Sequence, residues 1–191
     1  MPEEMKSQAL DLGSYTKHSV LLINGLGSIS LYLPNAMDTF YTYADFGEYR
    51  CGETKQFRFA GKKYNPSHAT DFSYTDPADS LYQLTILQTY NKDCETYITI
   101  NDTMLEKMQK DKDKTYSMLD VRGKKVIVGV HEAQSNGMNV AQVDAITTVS
   151  GRQVKFIFQC FKRSTDGFVN QVITSLKSLV VKEDTNTTPQ N

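Results

Sequence analysis

The chain has 191 residues and a mass of 21.6 kDa, the size of a single domain. A composition of 39% hydrophobic and 23% charged residues excludes an intrinsically disordered chain, because such chains lack the apolar content that offsets the entropy of folding. The formal net charge of −1 argues against an electrostatic nucleic-acid binder, which needs a surplus of basic residues.

The first residues predict a short helix over 2–12, with Pro2 near its start, two acidic residues in its first turn and Gly13 after its end. No apolar stretch follows, as a signal peptide would require, and no run reaches the ~18 residues of a membrane helix. Three cysteines without a CxxC pair are typical of free thiols in a reducing compartment. We therefore expect a cytoplasmic protein without membrane insertion. A cell-envelope location is the alternative if an export signal has been removed.

The next segment predicts a β-hairpin. Residues 20–23 are apolar, and the pair Asn24 and Gly25 is a strong turn signal. Apolar and polar residues then alternate over 28–33, and Pro34 closes the second strand.

Residues 35–80 lack a sustained hydrophobic period, apart from one strand indicated by Phe57 and Phe59. They predict a long excursion that is rich in aromatic residues, ten of which fall within 40–74. Tyrosine combines a large contact area with a hydrogen-bonding tip, which suits an interface. A self-packed loop needs aromatic anchors as well, so both interpretations stay open. The candidate binding residues are Tyr41, Tyr43, Phe46, Tyr49, Tyr64 and Tyr74.

Later segments predict mainly strands, at 81–90, 97–100, 116–121, 125–132, 138–149 and 153–162. Turns are expected at 122–123 and 150–151. Two helices are predicted, one over 101–114 with Asn101 as its N-cap, and one that begins with Asp166 as its cap. The strand 153–162 has apolar residues on both faces, which favours a central position in the sheet.

These elements predict an α+β fold, an α/β/α sandwich around one twisted, mainly antiparallel sheet. No internal repeat or linker is visible, so we expect one domain over 20–181 that includes the excursion 35–80. The N-terminal helix and lead-in occupy 1–19, and the polar residues 182–191 predict a disordered tail.

The order of elements over 20–181 resembles the PsbP-like superfamily. The residues that carry the resemblance are the opening 27–34 (GSISLYLP), Gly151 at the second hairpin turn and the closing 168–179 (FVNQVITSLKSL). Known branches include an extrinsic subunit of photosystem II, a Ran-binding import factor, and bacterial envelope and type VI secretion adaptors. The resemblance implies an α/β/α sandwich without an intrinsic catalytic site. We therefore favour a non-catalytic protein- or peptide-binding adaptor module, without assigning a partner or an oligomeric state.

An unrecognised hydrolase is the alternative. Its nucleophile would be Cys51, beside Gly52 in a loop, with His68 or His131 as the base. The pair His131-Glu132 lacks the second histidine of a zinc-protease motif, since position 135 is serine. We expect no metal site and no cofactor, and the non-catalytic interpretation is favoured.

Overall fold

The computed structural model describes residues 10–21, 27–35, 39–45, 54–60, 82–89, 98–135, 138–160 and 165–183. Its elements in chain order are β1 (Tyr15–Leu21), β2 (Gly27–Pro34), β3 (Thr39–Asp45), β4 (Thr54–Ala60), β5 (Tyr82–Thr89), α1 (Asp102–Met108), β6 (Thr115–Val121), β7 (Lys124–Ser135), β8 (Met138–Val149), β9 (Arg152–Cys160), α2 (Thr165–Lys177) and β10 (Val180–Glu183).

Seven strands form the main sheet, in the order β3-β4-β5-β9-β8-β7-β6, and all neighbours are antiparallel. The predicted α+β class and the antiparallel sheet are thereby confirmed. Strand β9 lies at the centre of the order, as its apolar residues on both faces indicated.

The first hairpin does not join this sheet. Its strands β1 and β2 pair with the C-terminal strand β10 in a separate three-stranded sheet, with β2 in the middle. The prediction of one sheet is corrected to two. The reason is the strict alternation of β2, whose Ile29, Leu31 and Leu33 are fully buried while the residues between them are half-buried, so a small sheet can lie across the core with one apolar face.

Several predicted boundaries also change. Strand β3 lies inside the segment predicted as an irregular excursion, and β10 includes the first two residues, 182 and 183, of the predicted tail. Helix α1 stops at Met108 rather than at 114, residues 98–100 form no strand, and α2 begins at Thr165, which puts Asp166 inside its first turn. Residues 10–12 are not helical, whereas the rest of the predicted first helix and residues 184–191 lie outside the described ranges.

The turns and caps agree better with their sequence signals. Asn101 caps α1 as predicted, because its side-chain oxygen accepts a hydrogen bond from the Met104 N–H at 2.9 Å. Both predicted hairpin turns have positive φ at their two central positions, 54° and 79° at 122–123 and 51° and 76° at 150–151. This is the type I′ geometry that suits a two-residue connection between twisted strands.

One hydrophobic core lies between the main sheet, helix α2 and the three-stranded sheet. Helix α2 contributes Phe168, Val172 and Leu176, which recur every four residues on one side of the helix. The end of α2 is fixed by Ser178, whose hydroxyl donates to the Ser175 carbonyl and accepts from the Tyr32 N–H of β2 at 2.8 Å. The main sheet contributes one face of its strands, chiefly Val126, Val128, Val143, Ala145, Val154, Phe156 and Phe158.

Candidate functional site

The opposite face of the main sheet, called the polar face below, carries the candidate site. Residues directly opposite each other on neighbouring antiparallel strands lie on the same face, so the register defines rows across the sheet. One row crosses all seven strands, and its members in order are Tyr116, Gly129, Asp144, Ile157, Thr85, Arg58 and Tyr41.

A buried carboxylate occupies the middle of this row. The Asp144 residue is only 6% exposed, and its Oδ1 accepts a hydrogen bond from the Gln142 side-chain amide at 2.8 Å. The Gln142 amide oxygen accepts in turn from the Gln159 side-chain amide at 3.0 Å. Because a buried carboxylate requires compensation, this chain of amides fixes the position of Asp144.

Two lysines face the same carboxylate from different sides. The ammonium nitrogens of Lys114, which follows α1, and Lys155 on β9 lie 3.7 and 3.9 Å from Oδ2 of Asp144. Both distances exceed the ~2.7–3.2 Å of a hydrogen bond, so the lysines are held by charge attraction and each keeps N–H donors for another acceptor. With two positive charges facing one negative charge, the group carries a net positive charge.

The histidine predicted as a possible base lies beside this group. His131 on β7 is directly opposite Gln142, and its buried Nδ1 has no hydrogen-bond partner among the described residues. Burial lowers the pKa of His131; the positive charges of Lys114 and Lys155 lower it further, while Asp144 and Asp111 raise it. The imidazole is therefore neutral at pH 7. The six residues Lys114, His131, Gln142, Asp144, Lys155 and Gln159 are called the Asp144 cluster below.

Gly129 allows a tyrosine ring to lie against the strand next to Asp144. A Cβ atom at Gly129 would stand only 2.5 Å from Cε1 of Tyr116, so the ring rests on the glycine backbone directly opposite Asp144. The carbonyl of Tyr116 accepts a hydrogen bond from the Gln109 side chain at 3.2 Å, which ties this end of the row to the C-cap of α1. The Tyr116 ring thus borders the Asp144 cluster on the β6 side.

The register also locates the first predicted binding residues. Tyr41 and Tyr43 lie on the polar face, at the β3 edge of the sheet. Four strand spacings of ~4.8 Å separate Tyr41 from Asp144, or roughly 19 Å. The remaining candidates, Phe46, Tyr49, Tyr64 and Tyr74, lie outside the described residues, as do Cys51 and His68 of the hydrolase hypothesis.

Most of the Asp144 cluster was missed by sequence reasoning. The alternation of Gln142 and Asp144 with alanine and valine correctly separates two faces, but it indicates solvated polar residues. Lys114 belongs to a run of alternating charges that reads as an exposed surface. No pattern along the chain brings Lys114 and Lys155 to one carboxylate, because that depends on the order of β6 to β9.

A second concave feature lies at the opposite end of the fold. A cleft of about 350 Å³ separates the β6–β7 turn from β10, with Val121, Arg122 and Leu179 among its lining residues. At its rim the Glu183 carboxylate accepts hydrogen bonds from the Lys124 ammonium and from the Ser150 N–H, and these two bonds lower the pKa of Glu183. The carboxylate thus connects β10 to both hairpin turns of the main sheet.

Within the described ranges, no three histidine, cysteine, aspartate or glutamate side chains gather as ligands for a metal ion. In the same part of the chain, neither helix combines the length and apolar character needed to cross a bilayer.

Comparison with known proteins gives similarity of fold alone. No family model matches the sequence, and no curated protein matches it. Among solved structures, the solution structure of cyanobacterial PsbP (CyanoP) from Synechocystis sp. PCC 6803 is similar at 9% identity and a TM-score of 0.47, covering 87% of this chain and 93% of that one. A crystal structure of a protein from Bacteroides thetaiotaomicron is similar at 12% identity and a TM-score of 0.44, covering 84% of this chain. This chain spans 47% of the length of that protein.

Proposed function

We propose that this chain is a non-catalytic protein- or peptide-binding module, an adaptor, that takes its partner on the polar face of the main sheet. The observation that supports the proposal is the register, in which the positions of Tyr41 and Tyr43 share one face of the sheet with the Asp144 cluster. Helix α2 and the three-stranded sheet pack against the opposite face and share its core.

The dimensions of this face suit a protein partner. Seven strands at ~4.8 Å spacing are roughly 29 Å wide, and seven residues of strand at ~3.4 Å rise extend about 24 Å. The product, about 700 Å², is the flat outline of the sheet and is of the same order as the ~800 Å² that each partner buries in a stable complex. Near its centre Ile127 and Asp144 are themselves buried, so the partner contacts the exposed side chains around them.

The chemistry along the face also favours binding. Tyrosine at the β3 edge offers large, rigid contact area, and interface cores are enriched in such residues. The Asp144 cluster at the other side adds fixed charges, which orient a partner more than they add affinity. The Asp144 carboxylate is itself engaged by Gln142 and two lysines, as expected of a structural charge that holds other groups in place.

Peptide selection followed by calorimetry tests the proposal. Peptides selected from a displayed random library on the wild-type protein are measured against the double variant Tyr41→Ala/Tyr43→Ala. Loss of two aromatic anchors, at about 1–2 kcal/mol each, should weaken binding at least tenfold.

The matched control is the double variant Tyr15→Ala/Tyr32→Ala. These half-buried tyrosines lie on the outer face of the three-stranded sheet, far from the polar face in the layer order. We expect its affinity to stay within twofold of wild type. A folded Tyr41→Ala/Tyr43→Ala protein that binds as tightly as wild type, or a control that loses as much affinity, would refute the assigned surface.

A further inference from the structure

We propose that the Asp144 cluster binds a carboxylate side chain of an acidic peptide, with the ammonium groups of Lys114 and Lys155 as the donors. This inference rests on the proposed function, because it specifies the chemistry of the partner at one place on the polar face. The geometry and the charge balance of the cluster carry it.

The charge balance calls for one further negative charge. Lys114 and Lys155 bring two positive charges to a carboxylate that neutralises one of them, and His131 is neutral at pH 7. The charge of Asp111 also reaches His131, but among the described residues both lysines pair with Asp144. One incoming carboxylate brings the group to neutrality, whereas a dianionic phosphate would leave it negative. A nucleic-acid backbone would need an extended row of cations, and the whole chain carries a net charge of −1.

The donors are available and held in place. Each lysine side chain is about one third exposed, 29% for Lys114 and 33% for Lys155, so both ammonium groups reach solvent. Neither makes a close hydrogen bond with Asp144, and each ammonium has three N–H donors. An added carboxylate can therefore form the short, charge-assisted bonds of ~2.7–2.9 Å that Asp144 does not form with them.

The carboxylate that the two lysines face has a fixed position. Asp144 is buried, and the amides of Gln142 and Gln159 hold it in one orientation. Both ammonium groups lie within 4 Å of this fixed carboxylate, at 3.7 and 3.9 Å. Fixing donors before binding reduces the entropy lost on association.

The neighbours of Asp144 fit a peptide rather than a free anion. In its row, Asp144 lies between Gly129, on which the Tyr116 ring rests, and the half-buried Ile157 of β9. These side chains offer apolar contact to the residues on either side of an acidic one. A small hydrated anion gains nothing from such contact.

Titration followed by ¹⁵N NMR tests the inference on the full chain with three ligands: a capped hexapeptide with two glutamates, the same peptide with glutamines, and inorganic phosphate. We expect saturable shifts of the backbone amides of Lys114, Gly129, Asp144 and Lys155 with the glutamate peptide. The glutamine peptide and phosphate should leave these amides unshifted. Added salt should weaken binding, since exposed charges are screened.

Two lysine variants and one matched control test whether peptide binding depends on these two lysines. Lys114→Gln and Lys155→Gln each remove one donor and should weaken the glutamate peptide about fivefold, the loss of one charge-assisted bond. Lys125→Gln makes the same charge change on an exposed residue of the same face, and should change affinity by less than twofold. Circular dichroism confirms that each variant is folded.

Several outcomes overturn the inference. If the glutamine peptide binds as tightly as the glutamate peptide, the site does not recognise a carboxylate. If phosphate binds more tightly than the glutamate peptide, the ligand is a free anion and not a peptide. The site is absent if the glutamate peptide causes no saturable shift. It is also absent if Lys125→Gln and Lys155→Gln lose the same amount of affinity for that peptide. If binding of the library peptides still depends on Tyr41 and Tyr43 in those cases, only the inference about the carboxylate is wrong, and the proposed function stands. If the glutamate peptide binds as expected while Tyr41→Ala/Tyr43→Ala leaves binding unchanged, the inference stands and the role of the tyrosine edge in the proposed function is wrong.

Discussion

The two faces of the main sheet are made by the same strands and bury their residues for different reasons. On β9, Phe156 is fully buried in the apolar core, whereas its neighbour Lys155 points to the other side and lies near a carboxylate. On β8, Val143 is fully buried and the next residue, Asp144, is almost as inaccessible at 6% exposure. Burial is therefore set by position in the middle of the sheet, and the type of side chain decides what compensates it.

The energies on the two faces differ accordingly. Burying a valine or phenylalanine side chain contributes about 1.5–3 kcal/mol to folding. A buried ion pair gains Coulomb energy but loses hydration, and the two nearly cancel. The core face thus stabilises the fold, while the polar face can hold charges for recognition at little net cost.

The largest expected effect is a loss of stability on substitution of a residue on the core face of the sheet. Phe156→Ala should lower the free energy of unfolding by about 3–5 kcal/mol, because it removes a fully buried ring and leaves a cavity. Ile157→Ala, the adjacent residue on the polar face, is only half-buried and should cost roughly 1–2 kcal/mol. Urea denaturation of both variants measures the difference. Equal losses would show that the polar face is packed as tightly as the core.

A smaller effect is expected at the buried carboxylate. Asp144→Asn leaves two ammonium groups without a counter-charge and should reduce the free energy of unfolding by about 1–3 kcal/mol. In a Lys114→Gln/Lys155→Gln background the same change should cost less than about 1 kcal/mol, because no charge is left unpaired. Chemical denaturation of the four proteins completes the cycle. Equal costs in both backgrounds would mean that the lysines do not interact with Asp144.

The smallest effect is a pH dependence of stability at His131. Burial lowers its pKa below the ordinary 6.5; Lys114 and Lys155 act in the same direction, and Asp144 and Asp111 oppose them. Between the two pKa values the unfolded chain binds more protons than the folded one, so stability decreases as the pH falls below about 7. Thermal unfolding between pH 7 and pH 5 should therefore show a shallower slope in His131→Gln than in wild type.

A similar effect is expected for His18→Gln, because burial also lowers the pKa of His18 in the three-stranded sheet and its removal should flatten the same slope. Glu183, whose pKa is also lowered, loses its contribution only below about pH 4.5 and stays outside this range. An unchanged slope in His131→Gln would place the histidine in a solvated environment.

The sequence predicts elements well where alternation is strict. Strand β2, with Ile29, Leu31 and Leu33, and the hairpins from β6 to β9 follow their patterns, and the type I′ turns follow their glycines. Strand β3 was missed because its aromatic residues fall on both faces and give no clear period. The strand β10 was missed because its two valines continue the apolar residues of α2, and only its pairing with β2 makes it a strand.

The candidate site was harder to predict than the fold. A period of two assigns Asp144 to the polar face, but its burial depends on the neighbouring strands β7 and β9. Lys114 and Lys155 are far apart in sequence, and their meeting point follows from tertiary structure. Tyr41 and Tyr43 were identified from aromatic density, and only the register shows that they share a face with the cluster.

The junction of helix α2 with the first hairpin has a consequence for biosynthesis. The hydrogen bond from the Tyr32 N–H to Ser178 joins residues 146 positions apart, and β10 pairs with β2 over a similar separation. Such non-local closure is slow to form, because the chain entropy must be lost before the contact is gained. A nascent polypeptide that has not yet released β10 and α2 from the ribosome therefore carries an amphipathic hairpin without its covering layer. It needs protection from aggregation until Glu183 has emerged from the ribosome.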